Sequence, residues 1–442
     1  MLTAFGRAFR TPDLRKKLLF TLAILALFRW GSTLPAPGVN YHNVHECLDL
    51  QKNSSVLALI NLFSGGALLQ LTVFALGIMP YITSSIILQL LVVVIPRLER
   101  LKEQGQAGQA KITQYTRYLT VALAILQSTG IVALARSGRL LQCADNSGNQ
   151  IPLLYSTSVF RIVTLVIAMT AGTAVIMWLG ELITDRGIGN GMSLLIFTSI
   201  AARFPSQGSA ILQEKGTTAF IIVLLVGVLI IVGIVFMEQG QRRIPVQYAK
   251  RMIGRRMYGG TSTYIPLKVN QAGVIPVIFS SSLLYLPQLL GQVWTSNAGF
   301  QQFVTTYFSP NNPHWTYILA YGLLTVFFTY FYVAITFNPV EVSDNMRKYG
   351  GFIPGIRPGR PTAEYLEYVL SRITLPGSLY LTAIAVLPII ALHYLPGGSA
   401  SGANQAFPFG GTSILILVGV GLDTSKQIES QLMLRNYEGF LR

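Results

Sequence analysis

A succession of long apolar stretches separated by polar turns constrains this chain more than any other feature. A bilayer's hydrocarbon core, about 30 Å thick, needs about 20 mostly apolar residues per helical span, and the chain supplies that length repeatedly. Charged residues make up 11% of its 442 positions and hydrophobic residues 51%, against about 25% charged in an ordinary soluble domain. Lipid is therefore its main solvent. The apolar runs are continuous and do not alternate in segments of about 10 residues, which disfavours a transmembrane β-barrel. The expected fold class is an all-α polytopic membrane protein.

The basic start (Arg7, Arg10, Arg15, Lys16, Lys17) and the apolar run behind it have the layout of a secretory signal peptide. Further hydrophobic spans follow, so this segment reads as an uncleaved first span with Arg29 and Trp30 near its outer end. Nine more are expected at 73–95, 114–136, 158–180, 188–204, 217–238, 271–291, 315–337, 376–396 and 411–430. The fifth and tenth are weak in hydropathy. With ten spans both termini share one side, and 26 of the 33 Lys and Arg residues then fall on that side against six on the other. This bias makes the shared side cytoplasmic. A net charge of +16 would suggest a nucleic-acid binder in a soluble chain; here the positive-inside rule accounts for it without any partner.

Residues 56–95 form one apolar tract broken at Gly65 and Gly66, too long for a single span. A short half-helix followed by a full helix fits, and irregular backbone at membrane depth implies surrounding protein or a water-filled cavity. The alternative is an amphipathic segment lying on the outer surface. An internal echo links spans five and ten: Gly191-Met-Ser-Leu-Leu-Ile196 and Gly411-Thr-Ser-Ile-Leu-Ile416 lie 220 residues apart, half the chain. Five spans per half would invert the second copy, and such repeats place a conduction site at their interface.

Catalytic chemistry is missing. No HExxH, GxSxG or Walker loop occurs, and GVGLD423 departs from the GxGD of intramembrane aspartyl proteases by an extra Leu. The two cysteines, Cys47 and Cys143, argue for neither a disulfide framework nor a zinc site, and no cofactor is expected. Arg29, Arg161, Glu181 and Asp423 sit near span ends, where snorkelling is the ordinary explanation. The interior spans instead carry isoleucine and hydroxyls. Ile82 and Ile86 lie at i, i+4 in span two, Met192 and Ile196 repeat that spacing in span five, Ile275 and Ile278 are i, i+3 in span seven, and Ile416 holds the echo position. Isoleucine is also the ordinary filler of membrane helices.

Six long motifs, in order, then resemble the SecY family over nearly the whole chain. They are FALGIMPYITSSIILQLL with KITQYTRY, ITDRGIGNGMS, RRIPVQYAKR, IPLKVNQAGVIPVIFSSS, FNPVEVSDNMRKYGGFIPGIRPGRPT and GGTSILI. The wording is similar to bacterial members. The resemblance implies a clamshell of two inverted five-helix halves, here 1–210 and 211–442. The second half would carry large basic cytoplasmic loops at 239–269 and 338–375. It implies a channel for unfolded polypeptides, with a pore ring of Ile82, Ile86, Ile196, Ile278 and Ile416, and Met192 where relatives often have isoleucine. It implies a plug at 61–70, beginning Asn61, Leu62, Phe63, Ser64, Gly65, Gly66. The lateral gate toward lipid would pair Thr83, Ser84, Ser85, Gln89 and Gln127 against Ser280, Ser281 and Ser282, held by hydroxyl contacts between helices. Arg251, Arg255, Arg256 and Arg357 would dock the motor ATPase SecA or the ribosome. Further implied partners are SecE, SecG, signal peptides, unfolded substrates and membrane lipids.

Two other classes compete. An ion-coupled solute transporter shares the inverted-repeat logic but needs a buried charge or polar constellation at the midplane, where this chain offers apolar residues. A membrane enzyme lacks its catalytic set.

Overall fold

The computed structural model describes residues 9, 11–50, 64–136, 138, 151–248, 251–253, 256–258, 262–293, 298–308, 314–394 and 411–438. Pro12 opens α1 (Pro12–Gly31), its fixed φ and missing N–H suiting a first helical turn. After α2 (Tyr41–Leu50) and α3 (Met79–Val94), Pro96 ends the α3 hydrogen-bond ladder and opens α4 (Pro96–Glu103), with a 105° bend between the two. Then come α5 (Gln106–Arg136), α6 (Val159–Arg186), α7 (Gly191–Ala201) and α8 (Phe204–Gln239). Asn190 caps α7, its Oδ1 accepting from the Met192 and Ser193 amides at 3.1 and 3.4 Å.

After a sheet region, the chain continues as α9 (Ile275–Val293), α10 (Ala298–Tyr307), α11 (Trp315–Thr336), α12 (Pro339–Lys348), α13 (Arg360–Tyr394) and α14 (Gly411–Glu438). Among the described residues, four helices are long and apolar enough to cross a membrane, or five if the bent pair α3–α4 is one span. The expectation of ten is not reproduced on that measure. Basic residues lie inside α1, α7 is 11 residues long, α14 carries Asp423, Lys426 and Glu429 from its middle onward, and α8 and α9 enter only as the shorter apolar stretches Leu224–Gln239 and Ile275–Leu284.

The tract before α3 also differs from expectation. Residues 64–78 run as turns around a bridge at Thr72, with Gly65, Gly66, Leu71 and Gly77 at positive φ, and the earlier part of the expected half-helix lies outside the described residues. Asn61, Leu62 and Phe63 lie outside the described residues.

A second correction concerns the large basic loop, which an all-α reading leaves unstructured. It folds as β1 (Gln241–Tyr248), β2 (Arg251–Ile253), β3 (Arg256–Tyr258) and β4 (Ser262–Lys268). β5 (Gly351–Phe352) adds to β1, giving the antiparallel order β4-β1-β5, while β2 and β3 form their own ribbon. The cause is period-two patterning in RRIPVQY. Ile244 and Val246 turn inward while Arg243, Pro245 and Gln247 face out. Ile244 and Leu267 then pack with Ile353, Leu366 and Val369 from the β5 region and α13.

The chain gathers into two compact units, one holding most residues up to Ile222 with those from Val420 onward, the other running from Val223 to Leu395 with Phe409–Gly419. In the first, α1 packs on α6 and α7, α3 on α5, α5 on α6, and α6 on α7. In the second, α9 packs on α11, and α11 and α12 on α13. Small residues allow close approach. A Cβ on Gly191 would strike the Gly180 carbonyl of α6, and one on Gly411 the Ile384 carbonyl of α13. The fifth and tenth spans thus begin in the same way, a glycine set on a carbonyl of the span before.

Candidate functional site

Ile82 and Ile86 stand one turn apart on α3, Ile82 half-buried and Ile86 buried. On α7, Ile196 is buried, and the Met192 thioether lies over Gly180 of α6, where a Cβ would collide with it. All four belong to the first unit. Ile278 on α9 and Ile416 on α14 are buried residues of the second. All six side chains are apolar, with no charge and no fixed hydrogen-bonding group.

The hydroxyls expected to bind between helices are turned onto their own backbones. Thr83 Oγ1 donates toward the Met79 and Pro80 carbonyls, both at 3.0 Å, and Ser84 Oγ to Pro80 O at 2.7 Å. On α9, Ser280 donates to Pro276 O at 2.8 Å and Ser281 to Ile278 O at 2.9 Å. Proline at Pro80 and Pro276 has no N–H, yet its carbonyl still accepts, and a serine four residues on supplies a second donor. Ser85, Gln127 and Ser282 are half-buried and Gln89 is exposed. Hydroxyl pairs that do cross between helices lie elsewhere: Ser128 with Thr170 at 3.3 Å, α5 to α6, and Tyr321 with Thr412 at 3.3 Å, α11 to α14.

The 64–78 segment is seated on two sides. Ala36 N donates to Leu71 O at 3.1 Å and Val73 N to Leu34 O at 3.0 Å, so the strand-like stretch after α1 holds residues 71–73. A Cβ on Gly172 of α6 would meet the Val73 carbonyl. Leu68, Leu71 and Thr72 are fully buried.

Two of the four charged groups expected to snorkel, Glu181 and Arg29, have partners inside the protein. Arg117 of α5 clamps Glu181 of α6 with two parallel bonds, Nε to Oε1 at 2.9 Å and Nη2 to Oε2 at 2.8 Å. Its third arm reaches Gln114 at 3.1 Å. Opposite charges at the same end of consecutive antiparallel spans are the sequence signal for this pair. With the Arg117 side chain 43% exposed, Glu181→Ala is expected to cost about 1–2 kcal/mol, the low end for charged hydrogen bonds. Lysine at 117 should recover part of that, since it lacks the planar fork. Thermal unfolding of the detergent-solubilised protein measures both. Arg29 likewise turns inward, its Nη1 donating to Gly65 O at 3.2 Å, while Arg161 and Asp423 are exposed. Sequence reasoning also passed over Glu238, whose Oε1 accepts from Asn270 Nδ2 at 2.6 Å and ties the end of α8 to the segment before α9.

Cys47 is buried and disulfide-bonded, which two isolated cysteines gave no ground to expect. Cys143 lies outside the described residues. Among the described residues no three His, Cys, Asp or Glu side chains gather as metal ligands.

The basic candidates come from two loops that the sheet joins. Arg251 and Arg256 lie in the β2–β3 ribbon, in register with Tyr258 and Ile253, while Arg255 lies outside the described residues. Arg357 is exposed in the turn before α13. That turn is fixed by β5 on β1, by Ser343 Oγ donating to Gly359 O at 2.7 Å, and by Thr362 Oγ1 donating to Arg357 O at 2.9 Å. Arg243 stacks on Tyr264 of the same sheet at 4.8 Å.

Comparison with known proteins agrees with this architecture. The SecY family model matches residues 72–425. Protein translocase subunit SecY of Streptomyces coelicolor is 66% identical and that of Mycobacterium tuberculosis 62%, each alignment covering 100% of both chains. A solved protein-conducting channel superimposes with a TM-score of 0.63 at 16% identity, covering 94% of this chain and 91% of its own. The Sec61 channel of a canine ribosome-channel complex gives 0.60 at 16%, with the same coverage. The chain belongs to the SecY family of membrane proteins.

Proposed function

We propose that this chain is the central protein-conducting subunit of a bacterial Sec translocase, passing unfolded secretory proteins across the plasma membrane and releasing apolar helices sideways into lipid. The observation that carries this reading is the full-length identity of 66% to a protein translocase subunit SecY. The apolar side chains at the six ring positions agree with it, since a polypeptide pore must accept any sequence without binding it.

In this reading the chain has ten spans in two inverted halves, 1–210 and 211–442, with both termini cytoplasmic. The repeated start of the fifth and tenth spans, Gly191 on Gly180 O and Gly411 on Ile384 O, supports the repeat. The ring is Ile82, Ile86, Met192, Ile196, Ile278 and Ile416. Residues 61–70 are the plug. Thr83, Ser84, Ser85, Gln89 and Gln127 face Ser280, Ser281 and Ser282 across the lateral gate. Because several of those hydroxyls are spent on their own helices, the gate has little polar adhesion to break. An entering signal helix gains about 0.8 kcal/mol per buried CH2.

Energy comes from outside the chain, through SecA or a translating ribosome docked on Arg251, Arg255, Arg256 and Arg357. SecE and SecG complete the complex. Solved relatives of this fold include ribosome-bound Sec61 and Ssh1 complexes.

A photo-crosslinking residue at Ile82 or Ile278, with a secretory precursor jammed in membranes supplied with SecA and ATP, tests the proposal. Crosslinks along the mature part of the precursor, lost without ATP, are expected. Their absence with expression intact would overturn it, and gradient-dependent solute uptake into proteoliposomes would then favour a transporter.

A further inference from the structure

Arg29 and Arg203 converge on one turn of the chain. Arg29, in the last turn of α1, donates from Nη1 to the Gly65 carbonyl at 3.2 Å, and a Cβ on Gly65 would sit 2.8 Å from that nitrogen. Arg203, between α7 and α8, lies beside the next residue: a Cβ on Gly66 would be 2.9 Å from its Nη2 and 3.4 Å from its Nε. Ser199 of α7 closes the third side, its Cα 3.3 Å from the Gly65 Cβ position. Only glycine fits here, on two counts. Both residues hold positive φ, +67° and +100°, and any side chain would displace a guanidinium.

A charged side chain at the edge of the bilayer normally turns out to the headgroups. These two turn in, although Trp30 beside Arg29 is largely exposed. They also repel each other electrostatically. Two cations held together against repulsion need a shared acceptor, and the Gly65–Gly66 turn is placed to be that acceptor. The rest of the segment is fastened differently. Residues 71–73 are pinned by backbone bonds to residues 34–36, at 3.0 and 3.1 Å, while the glycine turn meets the Arg29 side chain.

We infer that Arg29 and Arg203 are positioning residues for translocation, a two-cation latch that holds the Gly65–Gly66 turn in its seated position and sets the threshold for opening. The inference rests on reading residues 61–70 as the plug. Two arms engaging one turn suit this role better than a single tether, because lifting the turn breaks both contacts and lets the two like charges part. Seating and release are then two discrete states.

Resting ion conductance of the purified complex in planar bilayers tests the latch. Arg29→Gln and Arg203→Gln are each expected to raise it roughly tenfold to a hundredfold, the equivalent of one lost charge-assisted hydrogen bond. Lysine at either position should restore part of the seal. Gly66→Ala, which keeps both arginines in the sequence but crowds the Arg203 guanidinium off the turn, should leak as well. In a background lacking residues 61–70, already leaky, the glutamine substitutions should add nothing.

Three results would overturn the inference. If the deletion leaks and the glutamine variants do not, the plug stands and the latch fails. If the glutamine substitutions raise conductance as much in the deleted background, the arginines support the helices and not the plug. If the deletion itself changes nothing, the plug reading fails and takes the latch with it.

Discussion

Replacing Ile82 and Ile278 together with glycine is expected to raise the resting ion conductance of the reconstituted complex by roughly tenfold or more. Each removed side chain opens the constriction by a branched four-carbon group, and a wider, more polar neck stays wet. Every 1.4 kcal/mol or so taken off the barrier to an ion is a factor of about ten in flux. Two substitutions on helices from different halves of the chain test the ring as a unit, since Ile82 belongs to α3 and Ile278 to α9. Glycine also weakens a helix interior by about 1 kcal/mol, so a control on the same helix is needed. Ile87 is exposed on α3, about 100° round the helix from Ile86, and Ile87→Gly should leave the membrane tight. Unchanged conductance in the double variant, with the complex intact, would remove the ring as the seal.

Much of this molecule is legible in its sequence because lipid permits few architectures. Apolar runs had to become helices, and Pro96 and Asn190 mark a helix start and a cap where local chemistry demands them. The proposed ring positions rest on family motifs alone, since isoleucine at i, i+4 on a membrane helix is also plain filler. What escaped was of two kinds, local competition for hydroxyls and pairing between distant residues. Thr83 and Ser84 looked like contacts between helices, yet carbonyls three and four residues back were nearer and already placed. Arg117 and Glu181 were read singly, as a topogenic charge and a snorkelling acid, because nothing in the local pattern shows that spans three and four pack side by side.

The basic loop is the most instructive miss. Its seven Lys and Arg residues drew attention to charge and away from the alternation beneath them. Ile244, Val246, Ile265 and Leu267 carry a strand pattern that the arginines at 242 and 243 obscure. The pairing of β5 with β1, and the packing of Ile353 on Ile244 and Leu267, bring the Arg357 turn onto strands over 80 residues earlier in the chain.

That shared framework makes Arg357→Glu the sharpest test of external drive. The side chain is exposed, so the exchange should alter folding by about 0.5 kcal/mol or less. Placed against an acidic or phosphate-rich partner, however, the reversed charge turns an attraction into a repulsion, and such juxtaposition costs several kcal/mol. ATP-driven export of a precursor into inverted membrane vesicles is therefore expected to fall roughly tenfold or more, with the amount of assembled complex unchanged. Lysine at the same position should retain part of the activity, as a point charge without the planar fork. If Arg256→Glu on the ribbon weakens export too, the double variant distinguishes one docking surface from two. Residues engaging one partner give losses that fall short of their product, while independent sites multiply. Should export and the quantity of folded complex decline in parallel, the arginines of both loops would be reduced to setting topology, and the motor would have to dock elsewhere.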